Sequence, residues 1–192
     1  VLAPESADPK KRLWQMSDER HVLTLVRRVM LEYNVDAGRV LLAGFSLGGN
    51  YAYKFGLRNP DLFRAIAPFS GVLIARPGPE ADAILQRGRS VAAYIVHGAR
   101  DERLPVEYAR SARDRLEKFG YQVVYREVPH GTHMLAFHEI PRVLAWFKAS
   151  PPPRCPSRSC RRRARRRRLL HPKGRNSRPP AAPCSGVGRN RG

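Results

Sequence analysis

Ser46 stands in the stretch Gly44-Phe45-Ser46-Leu47-Gly48-Gly49, between the apolar run 39–45 (RVLLAGF) and a helical pattern at 47–58. A serine at the apex of a strand-to-helix turn is a candidate nucleophile. Such a turn forces strained backbone at its apex, flanking glycines let neighbouring segments approach without Cβ clashes, and the hydroxyl is presented at the end of the sheet. The amide of Leu47 then falls at a helix N-terminus, where it can stabilise an oxyanion. The plain alternative is a serine that caps a helix beside packing glycines.

A serine hydroxyl needs a base to take its proton, and the base needs an acid to orient it. Asp101 follows the apolar run 91–96 in His97-Gly98-Ala99-Arg100-Asp101-Glu102. It is the candidate acid, with a helix cap or a solvated loop aspartate as its plain alternatives. His97 comes before that acid and reads as a hydrogen-bonding loop residue rather than a base. Pro129-His130-Gly131-Thr132-His133 follows the run 121–128. A neutral imidazole there can accept the serine proton and return it to a leaving group. His133 is the first choice for this role and His130 the alternative, while His138 reads as a surface or packing residue. Trp14 and Phe45 are candidates to line a substrate pocket, against the plainer reading of ordinary packing.

The elements that must position these residues alternate. Helical periodicity over 17–33 places Val22, Leu25, Val26, Val29, Met30 and Tyr33 on one face, with Ser17 as its N-cap. Buried strands are expected at 39–45, 64–69, 91–96 and 121–128. Helices are expected at 47–58, 105–118 and 139–148, with a helix or loop between the second and third strands. Alternation of this kind predicts an α/β fold, a mostly parallel sheet with helices on both faces. Ligands in such sheets sit at the carboxyl ends of the strands, and Ser46, Asp101 and His133 all fall there. The opening Val1–Pro4 reads as the end of a further strand, so earlier strands are expected upstream and the domain is expected to be incomplete at its N-terminus.

Charge bounds the remainder. The 192 residues carry 36 Lys+Arg and 16 Asp+Glu, a formal net charge of +20. Residues 151–192 hold 14 of those bases and no acid, which leaves +6 on residues 1–150. The expected organisation is therefore one domain at 1–150 and a disordered Arg/Pro-rich tail at 151–192, too poor in apolar surface to offset chain entropy. The block Arg161–Arg168 could contact nucleic acid. The tail's composition equally fits a GC-rich reading frame running past the natural end of a domain. Cys155, Cys160 and Cys184 all lie in the tail, which excludes a cysteine nucleophile or a cysteine zinc site in residues 1–150. Their spacing with His171 matches no zinc motif. No apolar run reaches the roughly 18–20 residues of a membrane span. No secretory signal is visible, so a cytoplasmic location is expected.

The segments 39–53 (RVLLAGFSLGGNYAY) and 94–105 (YIVHGARDERLP), with the Gly131–His133 turn, resemble the α/β-hydrolase superfamily. Within it they are most similar to the small carboxylesterase, phospholipase and dienelactone-hydrolase-like branch. The opening 1–6 (VLAPES) and the 12–16 stretch (RLWQM) share that likeness. The order Ser, Asp, His is the order that superfamily uses. The resemblance covers most of residues 1–150 and implies Ser46 as nucleophile, Asp101 as acid, His133 as general base and the Leu47 amide as one oxyanion donor. It implies hydrolysis of a small-molecule carboxylic ester through an acyl-enzyme, without metal or organic cofactor. It also implies a second oxyanion donor from a loop after an earlier strand. The alternatives are a prolyl-oligopeptidase-like peptidase and a non-catalytic fragment whose basic tail binds nucleic acid.

Overall fold

Four short apolar strands form one parallel sheet in a computed structural model that describes residues 1–6, 8, 14–15, 18–73 and 78–149. In chain order the elements are α1 (Asp18–Glu32), β1 (Leu41–Phe45), α2 (Leu47–Arg58), β2 (Ala65–Phe69), α3 (Pro79–Gly88), β3 (Ala92–Gly98), α4 (Glu107–Lys118), β4 (Val123–Val128) and α5 (Ile140–Ala149). A single 3-10 turn, Phe137–Glu139, leads into α5. The sheet order is β1-β2-β3-β4, with Leu41 opposite Ala65, Ala65 opposite Ala92 and Ala93 opposite Val123.

Sequential order requires a crossover between each pair of strands, and α2, α3 and α4 supply them on one face. Tyr53, Leu57, Leu85, Ala109, Ala112 and Leu116 from these helices pack against Ile66, Ala93 and Ile95 of the sheet. The opposite face is covered by α5, whose Val143, Ile140 and Trp146 meet Ala67, Phe69, Tyr94 and Val96. Helices on both faces explain why the inner strands are apolar on both sides: β2 and β3 are buried at every residue. The outer strand β1 is only half-buried.

Two local readings are sharpened, and a third falls on residues that are not described. The cap expected at Ser17 lies outside the described residues. Asp18, the first residue of α1, has a buried carboxylate that accepts the Gln15 amide at 2.6 Å and the Ser6 hydroxyl at 3.0 Å. The segment left between helix and loop is the helix α3, started by Pro79 and by acids Glu80 and Asp82 in its first turn. His97 and Gly98, expected in a loop, belong to β3 instead. The reason is the partner strand: β4 extends far enough to pair Glu127 with His97 and Val128 with Gly98. Residues 150–192, with Cys155, Cys160, Cys184, His171 and the arginine block, lie outside the described residues. No helix among the described residues is long and apolar enough to cross a membrane.

Candidate active site

The turn from β1 to α2 gives Ser46 its geometry. Its φ of 53° and ψ of −118° lie in backbone territory that side chains other than glycine seldom enter, at a cost of about 1–3 kcal/mol. Surrounding bonds hold it there. The Ser46 amide donates to the Phe69 carbonyl at 2.9 Å, and the Ser46 carbonyl accepts the Asn50 amide at 3.1 Å. The flanking glycines are unequal. A Cβ on Gly44 would run into the carbonyl of Gly48, whereas a Cβ on Gly48 would meet nothing within 4 Å. The tight approach therefore falls on the strand side of the turn. Ser46 caps α2 without spending its hydroxyl on the helix, and Leu47 is the first helical residue, whose amide has no intrahelical acceptor.

That hydroxyl lies 3.0 Å from Nε2 of His133. The other ring nitrogen, Nδ1, lies 2.8 Å from Oδ2 and 3.1 Å from Oδ1 of Asp101. Three side chains separated by 87 and 32 residues in sequence thus form one line at the carboxyl ends of β1, β3 and β4. The strand ends are stitched together behind it. The Arg100 amide donates to the Gly131 carbonyl at 2.8 Å and the Ala99 amide to Val128 at 2.9 Å. A Cβ on Gly98 would strike the backbone of Gly131 and Thr132, so the acid loop and the histidine loop touch main chain to main chain.

The Asp101 side chain is fully buried. Burial alone would raise its carboxyl. The Leu104 amide, the His133 imidazole and the Arg103 amide outweigh that and hold it below its ordinary value. Both amides reach Oδ1, at 2.8 Å from Leu104 and 3.0 Å from Arg103. A carboxylate only accepts, so the proton of His133 sits on Nδ1 and leaves Nε2 free to accept from the serine. The arrangement can pass a proton from the Ser46 hydroxyl to the imidazole while the buried carboxylate stabilises the charge that results.

Among the described histidines, His133 is the one within reach of both partners, while His130 is exposed. His138 lies in the 3-10 turn with a mostly exposed ring, 3.8 Å from Glu139. Phe45 is at the site, its ring 5.2 Å from the His133 ring. Trp14 lies against the side of α2, its carbonyl accepting the Tyr51 hydroxyl at 2.9 Å and its ring 6.3 Å from that of Tyr51. Among the described residues no group of three or more His, Cys, Asp or Glu side chains could hold a metal ion. No sequence signal pairs Gly98 with Gly131, because one ends β3 and the other lies 33 residues on, in the loop after β4.

Comparison with known proteins gives the chain's family and fold relatives. Residues 13–149 match the profile of the phospholipase/carboxylesterase family. Acyl-protein thioesterase 1 of Gibberella zeae is 24% identical over 130 residues, 65% of this chain and 55% of that protein. The crystal structure of SOBER1 from Arabidopsis thaliana superposes with a TM-score of 0.59 at 18% identity, covering 69% of this chain and 62% of that one. Esterase PE8 gives 0.58 at 21% identity, covering 69% and 60%. The chain thus spans about half the length of the fungal thioesterase and somewhat more of the two structures. The structural likenesses show the α/β-hydrolase fold. The family match does not favour the peptidase or nucleic-acid-binding alternatives.

Proposed function

The chain belongs to the phospholipase/carboxylesterase family of α/β-hydrolases, and from that premise we propose that it cleaves small carboxylic esters through an acyl-serine intermediate. The observation that carries this reading is the continuous hydrogen-bonded line from Ser46 Oγ through His133 to Asp101. His133 Nε2 takes the proton as Ser46 Oγ attacks the carbonyl carbon. The Leu47 amide faces the oxyanion that forms. The imidazolium, held by Asp101, then gives its proton to the departing alcohol. Water, deprotonated by the same nitrogen, attacks the acyl-enzyme and releases the acid. Every step uses side chains and amides, and none calls for a metal or organic cofactor.

Phe45 borders the imidazole, and Met134 and Phe137, both about two-thirds exposed, lie one and four residues after His133. These apolar groups suit an apolar acyl portion. The same chemistry cleaves thioesters, and the thioesterase relative makes them the second substrate class to assay. The organisation proposed is a single hydrolase domain over residues 1–150, with residues 151–192 outside it and dispensable for turnover.

A fluorophosphonate probe tests the nucleophile. Labelling should occur in the parent chain and vanish in Ser46→Ala, with hydrolysis of p-nitrophenyl acetate falling by about 10⁶-fold. Labelling that survives Ser46→Ala would remove the assignment. Matched acyl esters and acyl thioesters, compared by kcat/KM, decide between the two substrate classes.

A further inference from the structure

His97 is wholly buried, beside the site, and has no part in the steps above. It is the penultimate residue of β3, and strand alternation places its side chain on the face of Ala93 and Ile95, beneath α4. Its side chain has no exposed surface. Nε2 lies 2.8 Å from the Leu104 carbonyl oxygen and 3.4 Å from Oδ2 of Asp101. A carbonyl oxygen only accepts, so Nε2 carries the proton. The second nitrogen, Nδ1, is buried with no hydrogen-bond partner among the described residues. An apolar side chain of similar size would avoid the cost of burying that unpartnered nitrogen, so the imidazole must answer to something its Nε2–H does.

That role lies at Leu104. The Leu104 amide grips Oδ1 of Asp101 at 2.8 Å, while the Leu104 carbonyl is gripped by His97. One residue of the 101–104 turn is therefore held at both ends, by the acid it supports and by the rigid strand behind it. The Nε2–H also approaches the carboxylate oxygen that faces His133. We propose that His97 is a positioning residue for the acid: by tethering Leu104 to β3 it fixes the turn that aims Asp101 Oδ2 at His133 Nδ1. The inference deepens the acyl-enzyme reading and rests on it for its kinetic arm.

Two amides of similar polarity isolate the tether. The terminal nitrogen of Gln overlays Nε2 of an imidazole, while that of Asn overlays Nδ1. His97→Gln keeps the donor to Leu104 and His97→Asn loses it. His97→Leu removes the donor and keeps the bulk. Since the tether lies inside the protein, its loss should lower kcat and leave KM near the parent value. The expected fall is about 10–100-fold in His97→Leu and His97→Asn, the scale on which a small misplacement of reacting groups acts. His97→Gln should recover most of the parent rate.

Proton NMR supplies an arm independent of turnover. The downfield Nδ1–H resonance of His133, bonded to Asp101, should persist in His97→Gln and broaden or vanish in His97→Asn and His97→Leu. Equal impairment in the Gln and Asn variants, or an unchanged resonance and kcat in His97→Leu, would overturn the proposal. Should His97→Leu not fold, the Gln and Asn pair still decides. If the parent chain neither labels at Ser46 nor hydrolyses esters, the acyl-enzyme reading fails by itself, and the resonance still reports whether His97 aims the acid.

Discussion

The carboxyl ends of β1 and β3 hold their functional side chains by opposite means. At the end of β3, an entirely buried strand, Asp101 is fixed by hydrogen bonds: two backbone amides and an imidazole surround a carboxylate with no exposed surface. At the end of the half-buried β1, Ser46 is fixed by the shape of the main chain, a positive φ between a crowded glycine and a helix. A buried charge must have its lost hydration replaced by donors, and few arrangements supply enough of them. A neutral hydroxyl needs only to be pointed, and a sharp turn does that without spending any of its own hydrogen bonds.

The sharpest way to break the contrast is to keep the shape of the acid and remove its charge. Asp101→Asn should lower kcat for p-nitrophenyl acetate by about 10⁴-fold, because an amide can donate to Nδ1 and stabilise the wrong imidazole tautomer. Turnover close to the parent value would mean that the donors around Asp101 serve only the fold.

The serine end should respond to volume instead. Gly44→Ala places a Cβ against backbone, which cannot rotate away, and should cost about 3 kcal/mol or more in urea unfolding. Gly48→Ala adds its Cβ to open space inside α2 and should gain up to about 1 kcal/mol. Equal effects at the two glycines would remove the argument that the strand side of the turn carries the constraint.

The smallest effect is in pH. The Asp101 carboxyl titrates below its ordinary value in the folded chain, and Glu139, held by Arg126 and Arg142 against the opposing effect of burial, does the same. The unfolded chain therefore binds more protons in this window, so stability rises with pH across it and levels off above the ordinary carboxylate range. Melting temperatures taken down through that range should fall, and the fall should be shallower in Asp101→Asn. An identical slope in both proteins would place the acid sensitivity elsewhere.

Much of this was legible in the sequence, for a physical reason. Strands covered on both faces must be apolar throughout, so 64–69 and 91–96 stand out, and the residues after them are the ones a parallel sheet gathers at one edge. The order of Ser46, Asp101 and His133 could therefore be read before any contact was known. What stayed hidden depended on neighbours distant in sequence. Whether β3 ends at Val96 or at Gly98 is decided by the length of β4. Which of the motif's glycines is crowded is decided by the path of α2. That His97 faces Leu104 rather than solvent follows from a turn four residues long folding back over the strand. Trp14 and Phe45 looked alike as pocket candidates, yet one lies beside α2 and the other beside the imidazole.

The strands lie across the sheet in the order in which they leave the ribosome. Each new strand pairs with the one just made, so the sheet can grow one crossover at a time with only short loops to close. Ser46 arrives with the first of these strands and Asp101 with the third, but His133 follows the fourth. A chain that lacks only its last unit already carries the strained turn and the buried acid, without the ring that joins them. The hydrogen-bonded line from Ser46 through His133 to Asp101 therefore exists only where the last strand-and-helix unit is docked beside β3.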